Sequence, residues 1–323
     1  MHTPKRLRVS LAMVAVLLTS ATATATGQPA SPLAAEPRAP FGTLGAFPVV
    51  NGTYLPIAGN FDCDTGSDGF GFEEPGIVWY AAGSAPDYLW TDLVITDGVL
   101  AKTQTSLSVS GTYVPIVGDF DADRCDDIFW YGEGSSPDYL WWGGPSGFTS
   151  GVPVSVSGSY RPVASGKFIV WYAPLGTESM WEGTTSRAAP FVVRSFPQVS
   201  GSSYEPVVFY DAATGGPDIL WYTPGTGGDS VWHFGDLTFP ESHQVLAVSI
   251  SGTYRTTTWS AWVVLHGPGF AVDQRLTALG NALSFSPLTI EGTYVVGGNH
   301  RVLVWHGPGT APDQVWLLPP IGA

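Results

Sequence analysis

The chain has 323 residues, only 12% of them charged, and its formal net charge is −14 at pH 7. Phosphate backbones and anionic lipid would repel so acidic a protein, so we expect neither nucleic acid nor a membrane surface as its partner. The sequence contains 40 glycines and 27 prolines, and 13% of its residues are aromatic. This composition favours short strands joined by tight turns over disorder.

The N-terminus has the layout of a secretory signal. Three basic side chains among the first eight residues precede an apolar run at 9–18, and a small-residue tract follows at 21–25. The run is shorter than the roughly 20 residues that a membrane-spanning helix needs, so we expect no membrane insertion. We predict a signal peptide and leader over residues 1–35, secretion of the protein, and a single domain over residues 36–323.

A short signature repeats six times along the chain: Gly, then Thr or Ser, then Tyr, behind an apolar residue. Successive signatures are 40 to 59 residues apart. This spacing brackets the period of four-stranded propeller blades and is too long for leucine-rich or ankyrin repeats. The six tyrosines are Tyr54, Tyr113, Tyr160, Tyr204, Tyr254 and Tyr294.

Each repeat contains the same elements in the same order. A short strand after the tyrosine leads to a loop and then to an aromatic strand, as at residues 128–131. A turn of Gly, Pro and Asp follows, then a strand that closes on Trp in five repeats, then a fourth alternating strand. We predict an all-β fold, a six-bladed β-propeller of four-stranded blades. Seven blades are the alternative, and a β-solenoid is less consistent with the sequence because its repeats are shorter.

The two ends of the array complement each other. The last repeat runs out after Leu318 without a fourth strand, whereas residues 41–50 form a strand without a blade ahead of Tyr54. We predict that residues 41–50 complete the sixth blade and close the ring, which also removes an exposed strand edge.

Two consecutive repeats place acidic residues at alternating positions of the loop after their first strand. Such a loop directs several oxygens to one point, and Ca²⁺ takes roughly six to eight oxygen ligands. We predict a Ca²⁺ in each loop, because turn hydrogen bonds alone balance the repulsion among so many carboxylates poorly. The alternative is that these side chains cap the turns by accepting backbone N–H bonds. The predicted ligands are Asn60, Asp62, Asp64 and Asp68 in the first loop and Asp119, Asp121, Asp123 and Asp127 in the second, together with the backbone carbonyls of Gly66 and Cys125.

The second of these loops has a recognisable pattern. In the segment 118–131, Gly-Asp-Phe-Asp-x-Asp is followed by Asp-Ile-x-Trp-Tyr, which resembles the FG-GAP/VCBS repeat family of integrin-α-like propellers in secreted bacterial proteins. The repeat frame extends the resemblance over residues 41–319, while the full loop motif occurs twice. The resemblance implies a calcium-stiffened propeller that usually serves recognition and is sometimes fused to an enzyme.

The chain departs from that family's pattern in places. At loop position six, where the family turns on glycine, it has Thr65 and Arg124. We expect a non-glycine residue at positive φ there, at a cost of roughly 1 kcal/mol or more. The fourth repeat keeps only Asp211 and Asp218 and is a weaker metal candidate, and the third, fifth and sixth have no acidic ladder.

The only two cysteines, Cys63 and Cys125, each lie in one of the two acidic loops. In an oxidising compartment two lone cysteines in equivalent loops favour one disulfide bridge between them. The alternative is a pair of independent buried thiols.

Common catalytic signatures, such as Gly-x-Ser-x-Gly, His-Glu-x-x-His and the phosphate-binding glycine loop, do not occur in the sequence. His266 and His306 stand where four repeats have Tyr, so we interpret them as aromatic substitutes rather than bases. The aspartate that recurs in the turns is interpreted as structural. Trp141, Trp142, Trp259 and Trp262 are candidates for stacking on sugar rings, although interblade core is the more frequent place for a Trp.

These observations favour a binding protein over an enzyme. We predict a monomeric, secreted, calcium-binding propeller that acts as a non-catalytic recognition module for an extracellular glycan or protein. The alternative is a hydrolase or lyase that acts on glycan. Such an enzyme needs two facing carboxylates, and the sequence does not pair any two of its glutamates.

Overall fold

The computed structural model describes residues 44–63, 74–174, 176–199, 204–214, 216–234, 243–259, 261–269, 271–288, 290, 292–299 and 301–318. These residues form 24 β-strands, which make six antiparallel sheets of four strands each. The sheets are arranged in a ring, so the six-bladed β-propeller is confirmed and the seven-bladed alternative is wrong. The described residues contain no helix that is long and apolar enough to cross a membrane.

The blades follow one another along the chain, and the first strand of each blade lies nearest the axis, where it lines a central cavity of about 580 Å³. The strands are β1 (Leu44–Ala46) of the last blade; β2 (Leu55–Gly59), β3 (Gly76–Tyr80), β4 (Asp87–Thr96) and β5 (Val99–Leu107) of blade 1; β6 (Val114–Gly118), β7 (Asp127–Tyr131), β8 (Tyr139–Trp142) and β9 (Thr149–Ser150) of blade 2; β10 (Arg161–Ser165), β11 (Phe168–Tyr172), β12 (Ser179–Gly183) and β13 (Phe191–Ser195) of blade 3; β14 (Glu205–Tyr210), β15 (Pro217–Tyr222), β16 (Asp229–His233) and β17 (Gln244–Val248) of blade 4; β18 (Arg255–Trp259), β19 (Trp262–His266), β20 (Asp273–Leu279) and β21 (Ala282–Leu288) of blade 5; and β22 (Val295–Gly298), β23 (Val302–His306) and β24 (Gln314–Leu317) of blade 6.

The N-terminal strand closes the ring, as the sequence predicts. β1 pairs antiparallel with β24 and places Gly45 opposite Trp316. The amide of Val50 donates a hydrogen bond to Oδ2 of Asp313 at 2.5 Å, which ties the segment after β1 to the turn of blade 6. Of the predicted strand 41–50, residues 44–46 form a strand and residues 47–50 do not. Residues 41–43 and the predicted signal at 1–35 lie outside the described residues.

The aspartate of the turn between the second and third strands ties its own blade to the connection that leads to the next. Asp87 is fully buried, its Oδ1 accepts the amide of Ala81 at 2.8 Å, and its Oδ2 accepts the amide of Val109 at 2.7 Å. In blade 3, Glu178 stands in the same place relative to the closing Trp. The structural interpretation of the turn aspartates is therefore confirmed. The same pair of amide bonds is made by Asp138, Asp229, Asp273 and Asp313.

Neighbouring blades are held together by an acceptor at the end of each second strand. The hydroxyl of Tyr80 accepts the amide of Tyr113 in the next blade at 2.9 Å and donates to the carbonyl of Gly111 at 2.9 Å. In blade 6, Nε2 of His306 takes over and accepts the amide of Tyr54 at 3.1 Å, while its Nδ1 lies 2.7 Å from Asp313. His266 does the same in blade 5. Both histidines are thus buried substitutes for tyrosine, as the sequence indicates.

Candidate metal loops

The predicted loops connect the first and second strands of blades 1 and 2. In blade 2 the loop covers residues 119–126, and in blade 1 it covers residues 60–75, which is eight residues longer. Strand pairing places Gly118 opposite Asp127 and Gly59 opposite Gly76. In the frame of the sheet, Gly76 is therefore the equivalent of Asp127, although counting along the loop assigns that position to Asp68.

The loop of blade 2 brings most of its predicted ligands together. Carboxylate oxygens of Asp119, Asp121 and Asp127 lie within 4.8 Å of one another. Asp127 is fully buried and Asp121 is 6% exposed. The chain achieves this turn without glycine, because Ala122 and Arg124 adopt positive φ values of 61° and 75°. The expected strain at position six is thus confirmed at Arg124.

Several of these carboxylates also accept backbone hydrogen bonds, as the turn-capping alternative predicts. Oδ1 of Asp119 accepts the amide of Asp123 at 3.0 Å, and Oδ2 accepts the amide of Arg124 at 3.1 Å. Asp127 accepts the amides of Phe120 and Gly143 at 2.8 and 2.9 Å. Capping therefore organises the loop, but it leaves Asp121 without a backbone donor among the described residues.

A basic side chain from the neighbouring blade enters the loop. Arg187, from the turn between β12 and β13, donates from Nε to Oδ2 of Asp121 and from Nη2 to Oδ2 of Asp123, the latter at 2.8 Å. Its guanidinium also lies over the ring of Trp142, at 5.2 Å from the ring centroid. Sequence reasoning missed Arg187, because residues more than sixty positions apart carry no spacing signal that links them.

Negative charge nevertheless remains in excess. The pKa of Asp127 is raised to about 8, mainly by burial and also by the charges of Asp121 and Asp123, against the lowering effect of its two amide donors. Burial likewise raises the pKa of Asp119. Oδ1 of Asp121 is buried and accepts no hydrogen bond from the described residues. One arginine therefore does not neutralise this cluster, and the oxygen donors fit a hard divalent cation.

The loops of blades 1 and 2 are joined to each other. Cys63 and Cys125 form a disulfide bridge with a Cα–Cα distance of 4.5 Å, so the predicted bridge is confirmed and the two-thiol alternative is wrong. Beside the disulfide, the backbone N–H of Asn60 donates a hydrogen bond to Oδ2 of Asp126 at 2.7 Å, and its side-chain Nδ2 donates to the backbone carbonyl of Arg124 at 3.1 Å. Blade 1 thus supports the loop of blade 2 from the side.

No known family model matches this sequence, and no curated protein matches it significantly. The resemblance to FG-GAP/VCBS repeats therefore stays a prediction.

The predicted site in blade 1 is only partly described. Asn60 is buried and its Oδ1 accepts no hydrogen bond from the described residues, while Asp62 is half-buried next to the disulfide. Asp64 and Asp68 lie outside the described residues, as do Thr65 and Gly66. The calcium site of this loop stays a prediction.

Blade 4 contains a second buried cluster, which the sequence indicated only in part. Asp211 and Asp218 are the two acidic residues kept from the loop pattern, and Nδ1 of His233 lies 3.0 Å from Oδ1 of Asp218 and 3.9 Å from Oδ2 of Asp211. Strand pairing sets His233 directly opposite Asp218. His233 therefore occupies the centre of this cluster, and Asp211 uses its oxygens to accept the amides of Ala213, Thr214 and Gly280.

Proposed function

We propose that this protein is a secreted, calcium-binding β-propeller that acts as a non-catalytic recognition module for an extracellular glycan or protein. The observation that carries the proposal is the cluster of Asp119, Asp121 and Asp127, with its buried, unpartnered carboxylate oxygen. Asp123 stands at the edge of the same cluster.

Calcium suits this cluster for chemical reasons. Hard oxygen donors are the ligands that Ca²⁺ prefers, and a divalent ion offsets more of the negative charge than one guanidinium does. A bound Ca²⁺ would take the carboxylates that Arg187 now contacts, so Arg187 and the ion compete for Asp121 and Asp123. Because the Arg187 side chain is 44% exposed, water can solvate its guanidinium when the ion replaces it.

Export is supported by the disulfide, since such bridges form and persist in oxidising compartments. The bridge joins residues 62 positions apart. In the chain-entropy model, closing a loop of this size stabilises a protein by about 4 kcal/mol.

A recognition role is favoured by how the recurring polar residues are used. The buried turn aspartates hold backbone amides, and His266 and His306 each bond an aspartate and an amide of the next blade. The hydrogen bonds of these groups hold the ring together, whereas the loops and outer strands differ in length and sequence from blade to blade. Variation on a rigid scaffold is typical of binding proteins.

The test is calcium titration by calorimetry on the secreted protein, followed by a glycan and cell-wall polysaccharide screen in calcium and in chelator. We expect one strong calcium site that Asp121→Asn weakens at least tenfold and Asp97→Asn, in an exposed turn, leaves unchanged. If calorimetry detects no heat of calcium binding to the folded parent protein, the calcium proposal is overturned. Turnover of a polysaccharide, lost on a single carboxylate substitution, would favour the enzyme instead.

A further inference from the structure

A groove of about 780 Å³ lies between blades 1 and 2, and we call it the interblade groove. Strands β4 and β5 form one wall, and β8, β9 and the turn between them form the other. Its volume falls within the roughly 300–1,000 Å³ of small-ligand sites.

The groove lies where the outer hairpins of two neighbouring blades differ in length. β4 and β5 have 10 and 9 residues, whereas β8 and β9 have 4 and 2. Asp97 and Gly98 both have positive φ, which is the two-residue turn that hairpins favour. The hairpin therefore continues past the short outer strands of blade 2 and leaves a recess beside them.

The wall formed by blade 1 is irregular at the point where it meets the recess. The pairing of β4 with β5 shifts register between Thr91 and Val94, and Asp92 within this bulge has a φ of 51°. Bulges redirect side chains, and strained non-glycine residues concentrate at binding sites. Asp92 is exposed and lines the groove.

The lining combines an aromatic surface with hydroxyl groups. Trp141 is half-buried and packs on Phe148, with ring centroids 5.6 Å apart. Thr103 and Thr105 are exposed on the opposite wall, and Ser150 lies opposite Trp141 in the strand pairing of blade 2. Aromatic faces cover the C–H surface of a sugar ring, while hydroxyls both donate to and accept from its O–H groups.

The charge of the lining excludes anionic ligands. Among the described residues that line the groove, Asp92 presents an exposed carboxylate, and none is Lys, Arg or His. Lys102, the basic residue of β5, lies on the other face of the strand with its Nζ 3.8 Å from the centroid of the Trp90 ring. A negative recess repels phosphates and uronic acids. It accepts neutral, hydroxyl-rich ligands.

We propose that the interblade groove binds a neutral saccharide, with Trp141 as its stacking platform and the threonines of β5 as its hydrogen-bonding wall. This inference rests on the proposed recognition function and names its ligand class and its place. A protein partner fits the recess less well, because stable protein interfaces bury about 1,200 Å² or more over a broad surface rather than a confined groove.

The test is calorimetry on the secreted protein with four neutral hexasaccharides, built of glucose, xylose, mannose or N-acetylglucosamine, and with oligogalacturonate as the anionic comparison. We expect at least one neutral hexasaccharide to bind and oligogalacturonate not to bind. Trp141→Leu should weaken that binding at least tenfold. The matched control is Trp181→Leu, because Trp181 holds the same place in blade 3, is also half-buried, and lies outside the groove.

A second variant removes hydroxyls without touching the core. Thr103→Val combined with Thr105→Val keeps the shape of two exposed strand residues and should weaken binding about fivefold or more, with an unchanged melting temperature. Hexasaccharide binding that persists at parent strength in both variants would overturn the groove while leaving the recognition function in place. Failure of all four hexasaccharides to bind the folded protein would also overturn the proposal that the groove binds a neutral saccharide. The calcium proposal is tested separately by the calcium titration.

Discussion

Replacement of Arg187 by alanine separates the two ways in which the acidic loop of blade 2 can be neutralised. In chelator, the variant leaves Asp121 and Asp123 without their cation. Removing one partner of a fully buried pair costs about 3–5 kcal/mol. Arg187 is 44% exposed and solvent screens it, so we expect a smaller loss of roughly 1–2 kcal/mol. For a propeller of this size that lowers the melting temperature by about 2–8 °C.

Calcium should reverse that loss. An ion at a hundredfold excess over its dissociation constant stabilises the folded state by about 2.7 kcal/mol. Because Arg187 no longer competes for the carboxylates, the Arg187→Ala variant should bind Ca²⁺ more tightly than the parent does. In calcium, its melting temperature should be at least as high as that of the parent. Thermal melts in calcium and in chelator, with calorimetric titration, measure both effects.

The matched control is Arg194→Ala. Arg194 lies in the same blade, pairs with Glu182 at 2.8 Å and is 54% exposed. It should show the same small loss in both buffers. If Arg187→Ala is destabilised equally in calcium and in chelator, and neither protein binds Ca²⁺, the arginine itself is the permanent cation of this loop and the reasoning is refuted.

Three further predictions concern the scaffold. Changing Cys63 and Cys125 to serine should lower stability by about 4 kcal/mol in the chain-entropy model; denaturant melts that match the oxidised parent would contradict this. Gly118→Ala should lower the free energy of unfolding by at least about 1–3 kcal/mol, because the added Cβ would clash with the backbone carbonyl of Gly166 in blade 3. The control is Gly228→Ala, whose Cβ would lie in open space, and it should cost less than about 1 kcal/mol in the same denaturant melts. Hydrogen bonds from Lys167 and Arg194 lower the pKa of Glu182 below its usual range. Their contribution to the free energy of unfolding is therefore present at neutral pH and is lost as the pH falls through the lowered pKa. Glu182→Gln should therefore destabilise by less than about 1 kcal/mol at pH 7, and the difference from the parent in pH-dependent melts should disappear in acid.

The irregularities of this ring are concentrated in blades 1 and 2. These blades contain the longest hairpin, the longest loop between first and second strands, the disulfide and the acidic loop with its arginine. The interblade groove lies beside the disulfide, since Cys63 is part of its lining. If calcium stiffens the acidic loop, the bridge passes that rigidity to one wall of the groove.

The two acidic loops differ in how well the sequence predicts the positions of their residues relative to the second strand. In blade 2 the loop is short, so counting placed Asp127 correctly at the start of the second strand. In blade 1 the same count assigns Asp68, which lies outside the described residues and stays a predicted ligand, while the second strand begins eight residues later, at Gly76. The aromatic strand at residues 77–80 repeats that at 128–131 and marks where the register resumes, whereas a count along the loop does not take the inserted residues into account.

The sequence by itself determined the number of blades, the closing strand at the N-terminus, the disulfide and the strained loop position at Arg124. The blade count and the closing strand follow from a pattern that repeats once per blade, and the disulfide and the strained loop position follow from comparing the equivalent loops of two neighbouring repeats. Only the tertiary structure decided that Arg187 neutralises part of the acidic loop, that His233 faces Asp218, and that an open groove lies beside Trp141. Each of these is a contact between side chains that the closure of strands and blades brings together from distant positions, and such proximity leaves no trace in the order of residues.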